Sequence, residues 1–172
     1  MEDLGRFSDD KFDIVLSSFA VGYAENLLKT FQEVFRVLRK NGLFVFAEVH
    51  PMASRGRIIH IGKRRVWLTG NYFDRRRRKW TWKVEEGVAR FYGRQRTIQD
   101  YFDALVEVGF VVERLLEPDP YPLERMNEVE KEKIPYAEAG LVRDYDIWRR
   151  LPYTIIFKAR KPRVRLVAKP RL

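Results

Sequence analysis

Phe12-Asp13-Ile14-Val15-Leu16-Ser17-Ser18, the stretch Leu27 to Lys40, and Leu43-Phe44-Val45-Phe46-Ala47-Glu48 together decide how this chain folds. The first is a short apolar run closed by two serines and reads as a buried strand. Between Leu28 and Lys40 the residues Leu28, Phe31, Val34, Phe35 and Leu38 recur every three or four positions. That spacing lines them up as one apolar stripe on a helix. Lys29, Gln32, Glu33, Arg36 and Lys40 fall on the other side. Asn41-Gly42 then breaks the pattern, with Gly42 suited to the left-handed conformation that ends helices. Leu43 to Glu48 reads as a second buried strand. A strand–helix–strand unit implies a parallel pair, and parallel sheets are normally covered on both faces.

The pattern continues downstream. Thr97 and Asp100 stand in capping-box spacing at the start of a further helix, whose apolar face is Ile98, Tyr101, Phe102, Leu105 and Val108. Gly109 ends it. Phe110 to Leu116 and Tyr153 to Ala159 read as strands, the last one bounded by Pro152 and Pro162. Residues 49–96, rich in Trp, Tyr and Arg, form a long insertion of the kind that serves as a lid or binding loop. A second insertion, 118–150, is acidic and aromatic, with a short exposed helix expected over Leu123 to Lys133. Residues 1–160 are read as a single domain carrying both insertions, and 161–172 as a basic tail.

Several of these segments resemble the class I S-adenosylmethionine-dependent methyltransferases. The matching residues are Asp3-Leu4, Phe12 to Ser18, and the run Phe35-Arg36-Val37-Leu38-Arg39-Lys40-Asn41-Gly42-Leu43-Phe44-Val45-Phe46-Ala47-Glu48. Arg96 to Phe102, Ala104-Leu105, Gly109-Phe110 and Glu117-Pro118 extend the likeness toward the branch that acts on small molecules. The resemblance implies a partial Rossmann-like α/β sheet, mostly parallel with an antiparallel last strand inserted between the second and third, in a three-layer αβα half-domain. It also implies S-adenosylmethionine as cofactor and methyl transfer to a small-molecule acceptor. The Gly-rich loop, the ribose-binding acidic residue and the adenine-binding aspartate of that family have no counterpart here. The expectation is a truncated domain, bound weakly to cofactor, whose first strand has an uncovered edge.

Charge is unevenly placed. The net charge is +10, and residues 55–96 carry 14 basic against 3 acidic side chains, while 97–150 carry 7 against 13. A basic patch attracts nucleic acid or any anionic ligand. No aromatic ladder or helix-turn-helix pattern accompanies it, so Arg75-Arg76-Arg77-Arg78-Lys79 reads as a solvated loop and nucleic acid is not the expected partner. There is no cysteine and only two histidines, which argues against a structural zinc site. No apolar run reaches the roughly 20 residues of a membrane span. The expected setting is cytoplasmic and away from membranes.

Ligands of open α/β sheets lie beyond the carboxyl ends of the strands. Those ends are Ser17-Ser18-Phe19-Ala20 and Glu48-Val49-His50-Pro51. The resemblance implies that Ser17, Ser18, Phe19, Ala20 and Tyr23 border the cofactor, and that the His50-Pro51 turn lines the substrate pocket. A histidine there suits proton acceptance from an acceptor hydroxyl, and equally suits a hydrogen bond within its own turn. Tyr72, Trp80, Trp82, Phe91 and Tyr92 are candidate aromatic walls, since aromatic faces favour a cationic methyl donor. Arg96 is the candidate for an anionic substrate group. A satellite core under the insertion explains the same aromatics. The rival reading is a non-catalytic binding or scaffold subunit using its basic insertion. A homodimer, or a complex with a missing N-terminal part, is expected to cover the first strand.

Overall fold

The computed structural model describes residues 2–84, 87–120, 122–132 and 144–164, without the side chains of residues 80 and 82–84. Strand β1 (Phe12–Ser18), helix α1 (Leu27–Val37) and strand β2 (Leu38–Val49) form the expected unit. The strands pair in parallel, with Ile14 opposite Leu43 and Ser18 opposite Ala47. Asn26 starts α1 by accepting the Lys29 N–H on its side chain at 2.9 Å. Leu27, Thr30, Phe31, Val34 and Val37 are buried, and Leu28 and Phe35 pack half-buried at the margin.

The helix stops three residues before the expected Lys40. Leu38 turns extended (φ −76°, ψ 140°) and pairs with Phe12, so its fully buried side chain is delivered from a strand. The left-handed residue is Asn41 (φ 68°) and not Gly42. Gly42 is needed for space: a Cβ there would meet Arg39 O at 2.8 Å.

Helix α3 (Ile98–Val108) follows its sequence signals closely. Thr97 and Asp100 form the reciprocal capping box, and Gly109 ends the helix at φ 108°. Its buried face is Tyr101, Ala104, Leu105 and Val108; Phe102, expected inside, is 44% exposed, and Ala104 takes its place on the stripe. Strands β7 (Val111–Leu116) and β8 (Thr154–Arg160) complete a four-stranded sheet in the order β1-β2-β8-β7. As expected, β8 inserts antiparallel, here to both neighbours. The described sheet is therefore mixed rather than mostly parallel, with β1 and β2 its parallel pair.

Helices α1 and α3 pack on one face of this sheet, over Phe44, Phe46, Ile155, Phe157 and Ala159. Phe46 and Phe157, opposite each other in the ladder, stack with ring centres 4.9 Å apart. On the other face Ile14 and Leu16 are 56% and 73% exposed, beside half-buried Val45, Ala47 and Ile156. Of the three layers expected, the described residues supply the sheet and one helical layer.

The first insertion is more ordered than a loop. Helix α2 (Pro51–Ser54) precedes hairpin β3 (Gly56–Ile61)–β4 (Arg64–Thr69), and hairpin β5 (Arg77–Val84)–β6 (Gly87–Arg94) follows. Trp67 of β4 packs against Trp148, which in turn meets Tyr153 just before β8. In the second insertion a single turn at Leu123–Arg125 and helix α4 (Glu128–Glu132) replace the continuous helix expected to Lys133, which lies outside the described residues. Helix α5 (Tyr145–Trp148) carries Trp148.

Candidate cofactor and substrate site

At the carboxyl end of β1 the chain turns sharply. Ser17 is buried and its Oγ has no hydrogen-bond partner among the described residues. Phe19 sits in the left-handed region (φ 51°), unusual for a residue with a bulky side chain, while its N–H donates to Ala47 O at 2.8 Å. Ser18 is exposed, and Phe19 and Ala20 are half-buried. A single helical turn, Val21–Tyr23, follows.

Two charged side chains hold this turn. Glu48, near the end of β2 and 6% exposed, accepts the Gly22 N–H on Oε1 at 2.8 Å. A Cβ at position 22 would lie 2.9 Å from Glu48 Oε2, so the turn and the carboxylate touch only because residue 22 is glycine. Arg96, 8% exposed, donates to the main-chain oxygens of Gly22 (3.3 Å) and Ala24, and more loosely to those of Arg94 and Glu25. The carboxylate thus takes the turn's N–H and the guanidinium takes its carbonyls. Burial raises the Glu48 pKa to about 7, against the opposing pull of the Gly22 and Val21 amides and of Arg96. Tyr101, buried beside them, has its phenol pushed upward by burial first and by the Glu48 charge second.

Arg96 therefore does not present its guanidinium to a ligand as the sequence suggested. Its donors go to main-chain oxygens, so it anchors the turn. His50 is 2% exposed and engaged at both nitrogens. Nδ1 accepts the Met52 N–H at 3.1 Å, capping α2, and Nε2, which then carries the hydrogen, donates to Glu117 Oε1 at 2.9 Å. Burial lowers its pKa more than Glu117 restores it. The geometry is that of a histidine holding its own turn.

Tyr23 meets the Phe91 ring at 5.9 Å, which links the turn after β1 to strand β6. Tyr72 accepts the Ile98 N–H at 3.2 Å and lies under the Arg55 guanidinium. Tyr92 is 44% exposed, with Arg77 5.0 Å over its ring. The side chains of Trp80 and Trp82 lie outside the described residues. The structure thus draws Ser17, Phe19, Tyr23 and Phe91 toward one end of the sheet.

The arginine run is largely spent on internal partners. Arg75 pairs with Asp100 at 2.8 Å, Arg76 and Arg78 with Asp74, and Arg77 with Glu25 at 2.7 Å, which Arg94 shares. Arg76 beside Asp74 holds that carboxyl well below the usual carboxylate range. The run opens strand β5 instead of forming a free loop. Among the described residues, no three His, Cys, Asp or Glu side chains gather as metal ligands, and no helix is long and apolar enough to cross a membrane.

The sequence placed Glu48 at a strand end but gave no role there to Glu48, Gly22 or Glu117. Glu48 carries a legible signal: it is a carboxylate at a core-facing position of a buried strand, two residues from His50. Its partner in the turn is not adjacent in sequence.

A parallel β1–β2 pair with an antiparallel β8 beside β2 is the arrangement expected from the class I methyltransferase resemblance. The comparisons agree. The methyltransferase domain family matches residues 1–46. A Bacillus subtilis protein described as an uncharacterized methyltransferase, YbaJ, is 36% identical over 52 residues, which is 30% of this chain and 20% of that protein. The chain superposes on a Mesorhizobium loti S-adenosylmethionine dependent methyltransferase with TM-score 0.59 at 25% identity, covering 90% of this chain and 63% of that one. A Listeria monocytogenes protein assigned to the same class gives TM-score 0.67 at 22% identity, over 93% and 65%. The chain has the fold of the class I S-adenosylmethionine-dependent methyltransferases, and spans less than two-thirds of the length of each of these relatives.

Proposed function

We propose that this chain takes part in S-adenosylmethionine-dependent methyl transfer to a small-molecule acceptor, with Ser17, Ser18, Phe19, Ala20 and Tyr23 bordering the cofactor. The observation that carries this reading is the turn at 20–25, clamped by Glu48 and Arg96 beside an unmet Ser17 hydroxyl. A buried hydroxyl without a partner fits a polar ligand group at the carboxyl end of a strand. A rigid turn with a left-handed Phe19 fits the backbone approach to such a ligand. The relatives' class supports the choice of cofactor.

When bound, S-adenosylmethionine supplies a methyl group on a sulfonium, and its displacement depends on alignment of donor and acceptor. This chain's part is positioning. Glu48 and Arg96 fix the turn, Tyr23 and Phe91 offer aromatic faces to a cationic group, and His50 holds the turn that leads from β2 into the insertion. A proton-accepting role for His50 requires that Met52 release Nδ1. The rival scaffold reading gains no support, because Arg75 to Arg78 already face internal carboxylates.

The test is a titration of the chain with S-adenosylhomocysteine, followed through the amide signals of Ser17, Phe19 and Tyr23. Saturable shifts at those residues, with a dissociation constant of about 1 mM or weaker, are expected, because the family's Gly-rich loop and ribose carboxylate are not among these residues. An intact fold with no shift there rejects the reading. A constant of about 1 μM would show that other residues have taken over the ribose and methionine contacts.

A further inference from the structure

Arg55 is the buried cation that the clamp does not use. It follows α2, directly after the His50 turn, and is 4% exposed. Nη1 donates to Pro51 O at 3.2 Å, Nη2 reaches Asp74 O only at 3.5 Å, and Nε is buried with no partner among the described residues. The Tyr72 ring lies 5.0 Å beneath the guanidinium. Among the described residues no carboxylate forms an ion pair with it. Asp100, whose charge reaches it, is already bound by Arg75 and the Thr97 amide. Burial accordingly lowers the Arg55 pKa.

A buried charge without a counter-ion is costly, and a buried donor without an acceptor adds to the cost. The unsatisfied edge also has a definite shape. Nε–H and the adjacent Nη2–H point the same way within the guanidinium plane, as a parallel two-donor fork. That fork matches the two oxygens of a carboxylate. Its other edge is occupied by Pro51, and one ring face by Tyr72. The location fits a substrate: Arg55 follows the turn at the carboxyl end of β2, where Gln95, next in sequence to Arg96, donates to the Ser54 carbonyl at 3.0 Å.

We propose that Arg55 recognises a carboxylate on the methyl acceptor through its Nε–Nη2 edge. This rests on the methyltransferase reading and narrows it to acidic small molecules. Arg55 here replaces Arg96, whose donors go to main-chain oxygens. Tyr72 and Asp74, in the link between the two hairpins, lie against the guanidinium, and a carboxylate on this edge takes the place of the long Nη2 contact to Asp74 O.

The test uses benzoate as a carboxylate probe and benzamide as its neutral counterpart, with the Arg55 Nε–H signal followed by NMR in the whole chain. Benzoate is expected to shift that signal saturably, and benzamide or chloride at equal ionic strength to leave it in place. Arg55→Lys keeps the charge without the fork and should weaken benzoate binding by about tenfold or more, whereas Arg90→Gln, on exposed β6, should not. An unmoved Arg55 signal in the unaltered chain, or equal benzoate affinity in Arg55→Lys, overturns the proposal. Binding of S-adenosylhomocysteine is measured on the same sample. Cofactor binding without benzoate binding removes the Arg55 inference alone. Benzoate binding without cofactor binding removes its assignment to a methyl acceptor.

Discussion

Gly22 and Glu48 stand 26 residues apart and are joined by a 2.8 Å hydrogen bond from the Gly22 N–H to Glu48 Oε1. The bond ties the turn after β1 to the end of β2. It does so with a carboxylate that burial makes reluctant to ionise, its pKa standing at about 7 against an ordinary 4.5.

The pH dependence follows from that direction. An acid whose folded pKa is raised contributes stability below its unfolded value, and the contribution is lost as pH rises through the folded value. For Glu48 the window runs from pH 4.5 to about 7, worth about 3 kcal/mol. His50, with its pKa lowered, acts in the opposite sense and gains stability as pH rises toward 6.5. Glu48→Gln keeps an oxygen for the Gly22 amide and removes the charge. Denaturant unfolding should find it more stable than the unaltered chain at pH 8 and about equal at pH 4.5. An identical pH slope in both proteins would count against an ionisable Glu48 in the clamp.

Arg96→Met should destabilise the chain by about 2–4 kcal/mol, because it strands buried carbonyls of Gly22 and Ala24 and leaves Glu48 without a nearby cation. Urea unfolding checks this. Were Arg96 a ligand-binding residue, the substitution would lower ligand affinity with little change in stability.

The arginine run predicts a salt effect. With Asp74 and Glu25 in place, the chain should leave a heparin column at moderate salt. Asp74→Asn frees Arg76 and Arg78 and should raise the salt needed for elution. Unchanged elution would mean that these arginines were already available to polyanions.

The readable and unreadable parts of the fold divide along sequence distance. Thr97, Asp100 and Gly109 fix α3 through contacts within a few residues, and each stands where its type predicted. Helix α1 began as expected, but its end was decided by Phe12, whose pairing draws Leu38 into a strand. Hairpin β3–β4 was read as loop, because Arg and Lys mask the alternation around Ile59, Val66 and Trp67, and its packing comes from Trp148, remote in sequence. In the site, the carboxyl end of β1 was legible at Ser17 and Ser18, with Phe19 and Ala20 following it into the turn. The bonds from Arg96 to the Gly22 and Ala24 carbonyls were not legible, because a charge that serves distant carbonyls looks, in sequence, the same as one that serves a ligand.

Strand β1 is one of the two outer strands of the described sheet, with β2 its one neighbour there, and Ile14 and Leu16 stand open to solvent on the face that lacks helices among the described residues. An apolar edge of this kind recruits another strand. Antiparallel pairing of two copies about Val15 sets Ile14 against Leu16 and Asp13 against Ser17, so no like charges face each other. We expect a homodimer through this edge, or a complex in which another polypeptide supplies the neighbouring strand. Leu16→Lys should weaken self-association by placing like charges near each other on the shared face. Light scattering of the two proteins, with amide exchange along residues 12–18, makes the comparison. A monodisperse monomer with fast exchange at the outward-facing amides of β1 would remove the edge as an assembly surface.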